Sequence, residues 1–280
     1  MPTAGSRSAT LGWTRNRPMA AKRKARPKVL LAGESWATSA YHVKGWDQFS
    51  SATYHLGGED FVRALEMRGF DVAYLPNHLA ATEFPSSSAD LDAYRAVILS
   101  DIGSNTLLLP PDVWLHGKPS PNRLKLLRDY VARGGGFMMV GGYLSFQGIN
   151  GSARYARTPI EEILPVTMRE TDDRLEIPEG FVADVTPSGR RHSILAGLAG
   201  KWPLLLGANE VAAKATGTIL ARLPADCGGH PLLVAGTYAK GRTLAWTSDI
   251  GPHWLPRCFV DWPGYSRLFG QAVSWLAQTA

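Results

Sequence analysis

Cysteine is nearly absent from this chain. Only Cys227 and Cys258 occur, far apart in sequence. That excludes a disulfide framework and any paired CxxC zinc site, and so few thiols fit a reducing, cytoplasmic compartment. No stretch approaches the ~18 consecutive apolar residues that a membrane-spanning helix needs, so no membrane association is expected. The seven histidines include no His-x-His or His-Glu-x-x-His pair, so no metal site is expected. No Gly-x-Gly-x-x-Gly follows the first apolar run and no Walker lysine motif exists, so no cofactor is indicated.

Acid is missing from the first 27 residues, which hold seven of the thirty cationic side chains. The whole chain carries +6, so residues 28–280 come to about −1. The basic character belongs to a tail rather than to a folded surface, and nucleic acid is not an expected partner of the folded domain. The tail lacks the apolar stretch of a secretory signal. It reads as a solvated, disordered basic segment over residues 1–27, followed by one domain over 28–280.

Apolar residues make up 45% of the 280-residue chain, enough for a substantial core, and 29 glycines imply many tight turns. The first short apolar run, Lys28–Gly33, ends in glycine and reads as a buried strand. A helix bounded by Gly57 and Gly69 follows, then a strand over Phe70–Leu75 stopped by Pro76. Tyr94–Ser100 and Phe137–Val140 are further strands, separated by a helix between Pro121 and Arg133 that Gly134-Gly-Gly136 ends. Thr158-Pro-Ile-Glu161 has the pattern of a capping box at a helix start. Residues 165–224 read as mixed strands and loops. Pro231–Tyr238 and Arg242–Ser248 form a hairpin, and a helix with an apolar stripe begins near Gly264.

Strands alternating with helices predict an α/β protein, with a mostly parallel sheet and helices on both faces. A β-rich segment and hairpin are added in the C-terminal half. Ligands of such sheets sit at the carboxyl ends of the strands. Those ends are Gly33-Glu34-Ser35-Trp36, Asp101-Ile-Gly-Ser-Asn105 and Gly142-Tyr143-Leu-Ser145. Glu34, Ser35 and Asp101 are candidate ligand contacts, since carboxylates seek donors such as hydroxyls or amines. Trp36, Trp46 and Trp114 read as loop aromatics, able to stack on a ring or to serve as hydrophobic lids. Val140-Gly-Gly-Tyr-Leu-Ser-Phe-Gln-Gly148 has the strand–turn pattern of a nucleophile elbow with Tyr143 at its tip. A phenol is a poor acyl-transfer nucleophile, so Tyr143 is read as an acid or hydrogen-bond donor. Asp249 and His253, spaced Asp-x-x-x-His, can pair as a base and the carboxylate that orients it. Cys258, five residues after His253, is the remaining candidate nucleophile, against the plainer reading of a small packed side chain.

Four segments resemble the class I glutamine amidotransferase-like superfamily: Leu99–Leu109, Gly141–Gly148, Thr158–Pro165 and Thr247–Trp254. The resemblance is strongest to a family of bacterial cytoplasmic proteins within it. It implies a flavodoxin-like three-layer sandwich. Active amidotransferases of the superfamily carry Gly-x-Cys-x-Gly at the elbow and His-x-Glu near the end. Here Tyr143 stands at the cysteine position and Ser145 at the second glycine. Gln147 matches a glutamine often found after the elbow, and His253 has no glutamate two residues on. The usual Cys-His-Glu triad is therefore not reproduced. Three functions follow as alternatives: a domain that binds or acts on a small polar metabolite, with Ser145 and Gln147 added to the ligand contacts; a non-catalytic binding or assembly module; and a glutaminase with an unusual nucleophile. Self-association is compatible with each.

Overall fold

The structure is a computed structural model that describes residues 25–279. Residues 1–24 of the basic segment lie outside the described residues. The strands are β1 (Lys28–Gly33), β2 (Ser35–Lys44), β3 (Asp47–Leu56), β4 (Asp71–Leu75), β5 (Ala96–Ser100), β6 (Gly136–Val140), β7 (Val166–Met168), β8 (Arg174–Phe181), β9 (Asp184–Val185), β10 (Leu205–Asn209), β11 (Val211–Ala213), β12 (Thr218–Arg222), β13 (Pro231–Tyr238) and β14 (Gly241–Trp246). Eight of them form the central sheet, in the order β4-β1-β5-β6-β14-β13-β12-β9. The first five are mutually parallel and the last three are added antiparallel. This is the expected α/β sandwich.

The apolar runs are continuous because both sheet faces are covered. In β1, Val29 and Leu31 face one core, which includes Phe61, Trp246 and Phe269. Leu30 and Ala32 face the other, with Leu124, Leu127 and Phe137. The first core is roofed by the helices Glu59–Met67 and Gly264–Leu276, joined by an edge-to-face contact of Phe61 and Phe269 at 5.1 Å. The second core carries the helix Arg123–Ala132, capped by Asn122 Oδ1, which accepts from the amides of Leu124 and Lys125. At Thr158 only half of the capping box forms. The hydroxyl accepts from Ile160 N, while the Glu161 carboxylate turns to the amides of Arg157 and Met168.

Two regions differ from the sequence expectation. Residues 35–56 are no loop but a long antiparallel hairpin, β2–β3, forming its own two-stranded sheet. Trp36 therefore lies on a strand and Trp46 in the hairpin turn, while Trp114 ends the short helix Pro111–Trp114. Both hairpin faces are in solvent, so no hydrophobic alternation marks these strands. The mixed region 165–224 resolves into β7–β12. Of these, β8 pairs with β10 and β7 with β11 apart from the main sheet, while β9 and β12 extend it.

Strand order reverses between β1, which leads to β4 on one side, and β5 on the other. That reversal places a crevice beyond the carboxyl ends of β1 and β5.

Candidate functional site

The crevice holds a cavity of about 430 Å³, a size suited to a small molecule. Glu34, Asp101, Tyr143, Asp249 and His253 all line it, with Trp36 and apolar Leu144, Ile149 and Pro252 beside them. The chain reaches these positions from the ends of β1, β5, β6 and β14. Ser35, Ser145 and Gln147 do not line it. Ser35 Oγ accepts from Asn77 N, Ser145 Oγ accepts from Asp101 N, and Gln147 Nε2 donates to Glu170 O. Their side chains hold backbone rather than face the cavity.

Two backbone features mark the first strand ends. Glu34 and Asp101 have φ values of 48° and 44°, in the left-handed region that costs a non-glycine residue about 1–2 kcal/mol. Just before Glu34, Gly33 at φ 111° passes so close to β5 that an added Cβ would lie 1.8 Å from Ser100 O. Glu34 N donates to that same carbonyl at 2.7 Å, and the Tyr74 hydroxyl donates to Glu34 O at 2.6 Å. The turn is thus fixed by sheet neighbours, and it delivers the Glu34 side chain inward, where Oε2 accepts from Ser100 Oγ at 2.5 Å. Burial, then the charges of Asp249 and Asp101, push the Glu34 carboxyl well above its usual range.

Asp101 turns its carboxylate onto the elbow. Oδ1 accepts from Leu144 N at 2.6 Å. Burial raises its pKa to about 6, against the lowering effect of the elbow amides and of His253. Tyr143 sits edge-on to His253 with ring centroids 4.5 Å apart, and the Arg174 guanidinium lies 5.0 Å from its ring centre. Burial and Glu176 push the phenol above its ordinary value of 10, with Arg174 opposing. Tyr143 is therefore protonated at neutral pH and can donate a hydrogen bond, but it is not activated as a nucleophile.

Asp249 and His253 form the pair that their spacing suggested. His253 Nδ1 lies 2.8 Å from Asp249 Oδ2, which also accepts from Trp254 N at 2.9 Å. Burial works to lower the His253 pKa, but the hydrogen bond and charge of Asp249 outweigh it and hold the imidazole above 6.5. Trp246, Ser248 and Tyr265 fasten this loop. Trp246 Nε1 donates to Asp249 O, Ser248 Oγ to Gly207 O and the Tyr265 hydroxyl to Ile250 O. His253 Nε2 has no hydrogen-bond partner among the described residues, and His253 lines the cavity.

Sequence reasoning missed the residues that brace the elbow from the antiparallel side. Buried Asn209 at the end of β10 accepts from Gly142 N at 3.0 Å and donates to Gly142 O and to Asp173 Oδ1. Buried Asp173 in turn accepts from the amides of Gln147 and Gly148 at 2.9 and 2.8 Å. Glu176 accepts from Trp254 Nε1 at 2.9 Å. No motif announces these residues. Neither cysteine lines the cavity: Cys258 is exposed on the helix Arg257–Val260, and half-buried Cys227 closes the short helix Ala225–Cys227. No cluster of three potential metal ligands occurs among the described residues.

A flavodoxin-like sheet with a glycine-marked turn after β6 and a paired histidine after β14 agrees with a class I glutamine amidotransferase-like domain. Residues 28–278 match the family described as "Putative glutamine amidotransferase", and the chain belongs to that family. Cytoplasmic Protein STM3548 from Salmonella typhimurium is 38% identical, over 89% of this chain and 98% of that one, with a TM-score of 0.84. Cytoplasmic Protein STM1381 from Salmonella typhimurium LT2 is 40% identical over 89% and 99%, also at 0.84. A thuA-like protein from Parabacteroides merdae, 14% identical with a TM-score of 0.53 over 91% of each chain, shares the fold. No curated protein matches the chain.

Proposed function

We propose that this amidotransferase-like domain does not hydrolyse glutamine. Its cleft instead takes a small metabolite rich in hydroxyl or amino groups, on which His253, positioned by Asp249, moves a proton. The observation that carries this reading is the contact between Asp101 and Leu144 N. In hydrolases built on an elbow, the amide after the nucleophile stabilises the oxyanion of the tetrahedral intermediate. Here a carboxylate already occupies that amide, and the elbow residue is a tyrosine whose phenol pKa is raised. Both halves of acyl transfer are therefore unprovided for, which speaks against a glutaminase with an unusual nucleophile.

The lining also selects against anions. Asp101, whose carboxyl titrates at about 6, is ionised at neutral pH and lines the cavity beside Glu34 and Asp249, so a carboxylate or phosphate ligand would meet its negative charge. Neutral donors fit: a hydroxyl or amine can bond the acidic side chains while Trp36 covers an apolar ring face. A protein of this kind fits the cytoplasm: its relatives are named cytoplasmic proteins, and no helix among the described residues is long and apolar enough to cross a membrane. The occupied Leu144 amide equally supports a non-catalytic binding or assembly module, and turnover separates the two.

The test is a thermal-shift screen of sugars, amines, amino acids and nucleotides on the wild type, Tyr143→Phe and His253→Ala. A ligand at a hundred times its Kd stabilises the fold by about 2.7 kcal/mol. Sugars or amines should raise Tm in the wild type, and the substitutions should abolish the rise. Stabilisation by glutamine or nucleotides alone would refute the assignment. A ligand that binds without being converted would leave the binding-module form of the proposal.

A further inference from the structure

The hairpin β2–β3 has no role in the cleft beyond placing Trp36. Its ten-residue strands run in register from Ser35 opposite Leu56 to Lys44 opposite Asp47, closed by a Gly45–Trp46 turn. At ~3.3 Å per residue it reaches roughly 30 Å from its root. That root is tied to the helix Asn77–Glu83, where Asn77 bonds both Ser35 Oγ and Ser35 O and where Tyr54 meets His78 edge-on. Beyond the root, both strands are almost wholly in solvent and both outer edges are unpaired. An isolated two-stranded ribbon is marginally stable in water at best.

The two faces of this ribbon differ. On one, the aromatic rings already cover each other across the strands, with Trp36 stacked on His55 at 5.1 Å and His42 on Phe49 at 4.4 Å. On the other, Tyr41 and Val43 stand opposite Ser50 and Gln48 and remain 83% and 71% exposed. The rest of that face is Ala37, Ser39 and Ala52, with Tyr54, Leu56 and Ser35 nearer the root. Trp46 at the tip is fully exposed. On that face Tyr41, Val43, Tyr54 and Leu56, with Trp46 at the tip, leave on the order of 700 Å² of apolar and aromatic side chain in water, close to the ~800 Å² per partner of a standard interface.

We propose that the hairpin is a dimerisation arm, and that its Tyr41–Val43 face packs about a two-fold axis on the same face of a second copy of this chain. Charge argues for a copy rather than an acidic polymer or a lipid surface. The only charged side chains in residues 35–56 are Lys44 and Asp47, of opposite sign and directly across from each other. The Tyr41–Val43 face carries no charged side chain, so two copies can meet on it about a two-fold axis without like-charge repulsion. The edges carry no proline and no inward charge of the kind that blocks pairing between chains. A ribbon unable to hold its shape alone needs a partner that is always present, and another copy of the chain meets that need. The proposal is independent of what the cleft binds.

Sedimentation velocity of the full chain at micromolar concentration tests it, beside the double variant Tyr41→Asp/Val43→Asp. The wild type should sediment at twice the 30.4 kDa chain mass, and the variant at the single mass with an unchanged circular dichroism spectrum. Hydrogen exchange of the wild type at two concentrations gives a reading that needs no variant: protection of amides in residues 36–55 should rise with concentration. A monomeric wild type, a variant that folds and stays dimeric, or a dimer whose arm amides exchange at a concentration-independent rate would each overturn the proposal.

Discussion

Asp101 concentrates the chemistry of the cleft in one side chain. In the folded chain it holds its proton up to about pH 6, against an ordinary value of 3.8. Between those values the folded state binds more protons than the unfolded one, so this group's contribution to stability falls as pH rises through the window. Asp101→Asn cannot ionise and keeps an oxygen for Leu144 N. Its Tm should exceed that of the wild type by several degrees at about pH 7, and the difference should vanish near pH 4, as scanning calorimetry across pH would show. The same residue governs a second outcome. Tyr143→Cys restores a thiol to the elbow, yet the Leu144 amide still faces Asp101. Ammonia release from glutamine by this variant should stay at the background of the wild type. The lining residues that were legible in the sequence, namely Glu34, Asp101, Tyr143, Asp249 and His253, share one property. Each stands where an apolar strand run breaks off, or a few residues beyond.

Elements that join the site from further away left no such trace. Asn209 and Asp173 contact the elbow across 67 and 25 to 26 residues of sequence. They come from the antiparallel half, whose short strands carry no long apolar run. Asn209→Ala would leave Gly142 N–H buried without a partner and remove one donor from the Asp173 carboxylate. A loss of about 2–4 kcal/mol is expected in urea unfolding, far above the cost of an exposed substitution. The parallel strands were readable for the opposite reason: with both faces buried, β1, β5 and β6 are almost purely apolar and end at polar, glycine-marked turns. The hairpin β2–β3 was unreadable because both of its faces are wet, so alternation carried no signal.

At the scale of the whole molecule, charge is the property most unevenly distributed. Residues 1–27 carry seven cations and no acid, while the remainder is near neutral. Retention of the full chain on a DNA column should therefore be weak and salt-sensitive. A chain beginning at residue 28 should pass through at low salt, whatever its cleft binds. Retention of that shorter chain would show a basic face on the domain itself.

The crevice is assembled from opposite ends of the polypeptide. Glu34 follows the first strand of the sheet, whereas Asp249 and His253 follow the last, because β14 slots in beside β6 rather than at an edge. During synthesis the earlier strands leave the ribosome long before the pair that completes the pocket. A nascent chain short of residue 241 has a gap in the middle of its sheet where β14 belongs, and one short of residue 253 lacks the Asp249–His253 pair. The lining of the cleft is therefore complete only once translation has passed residue 253.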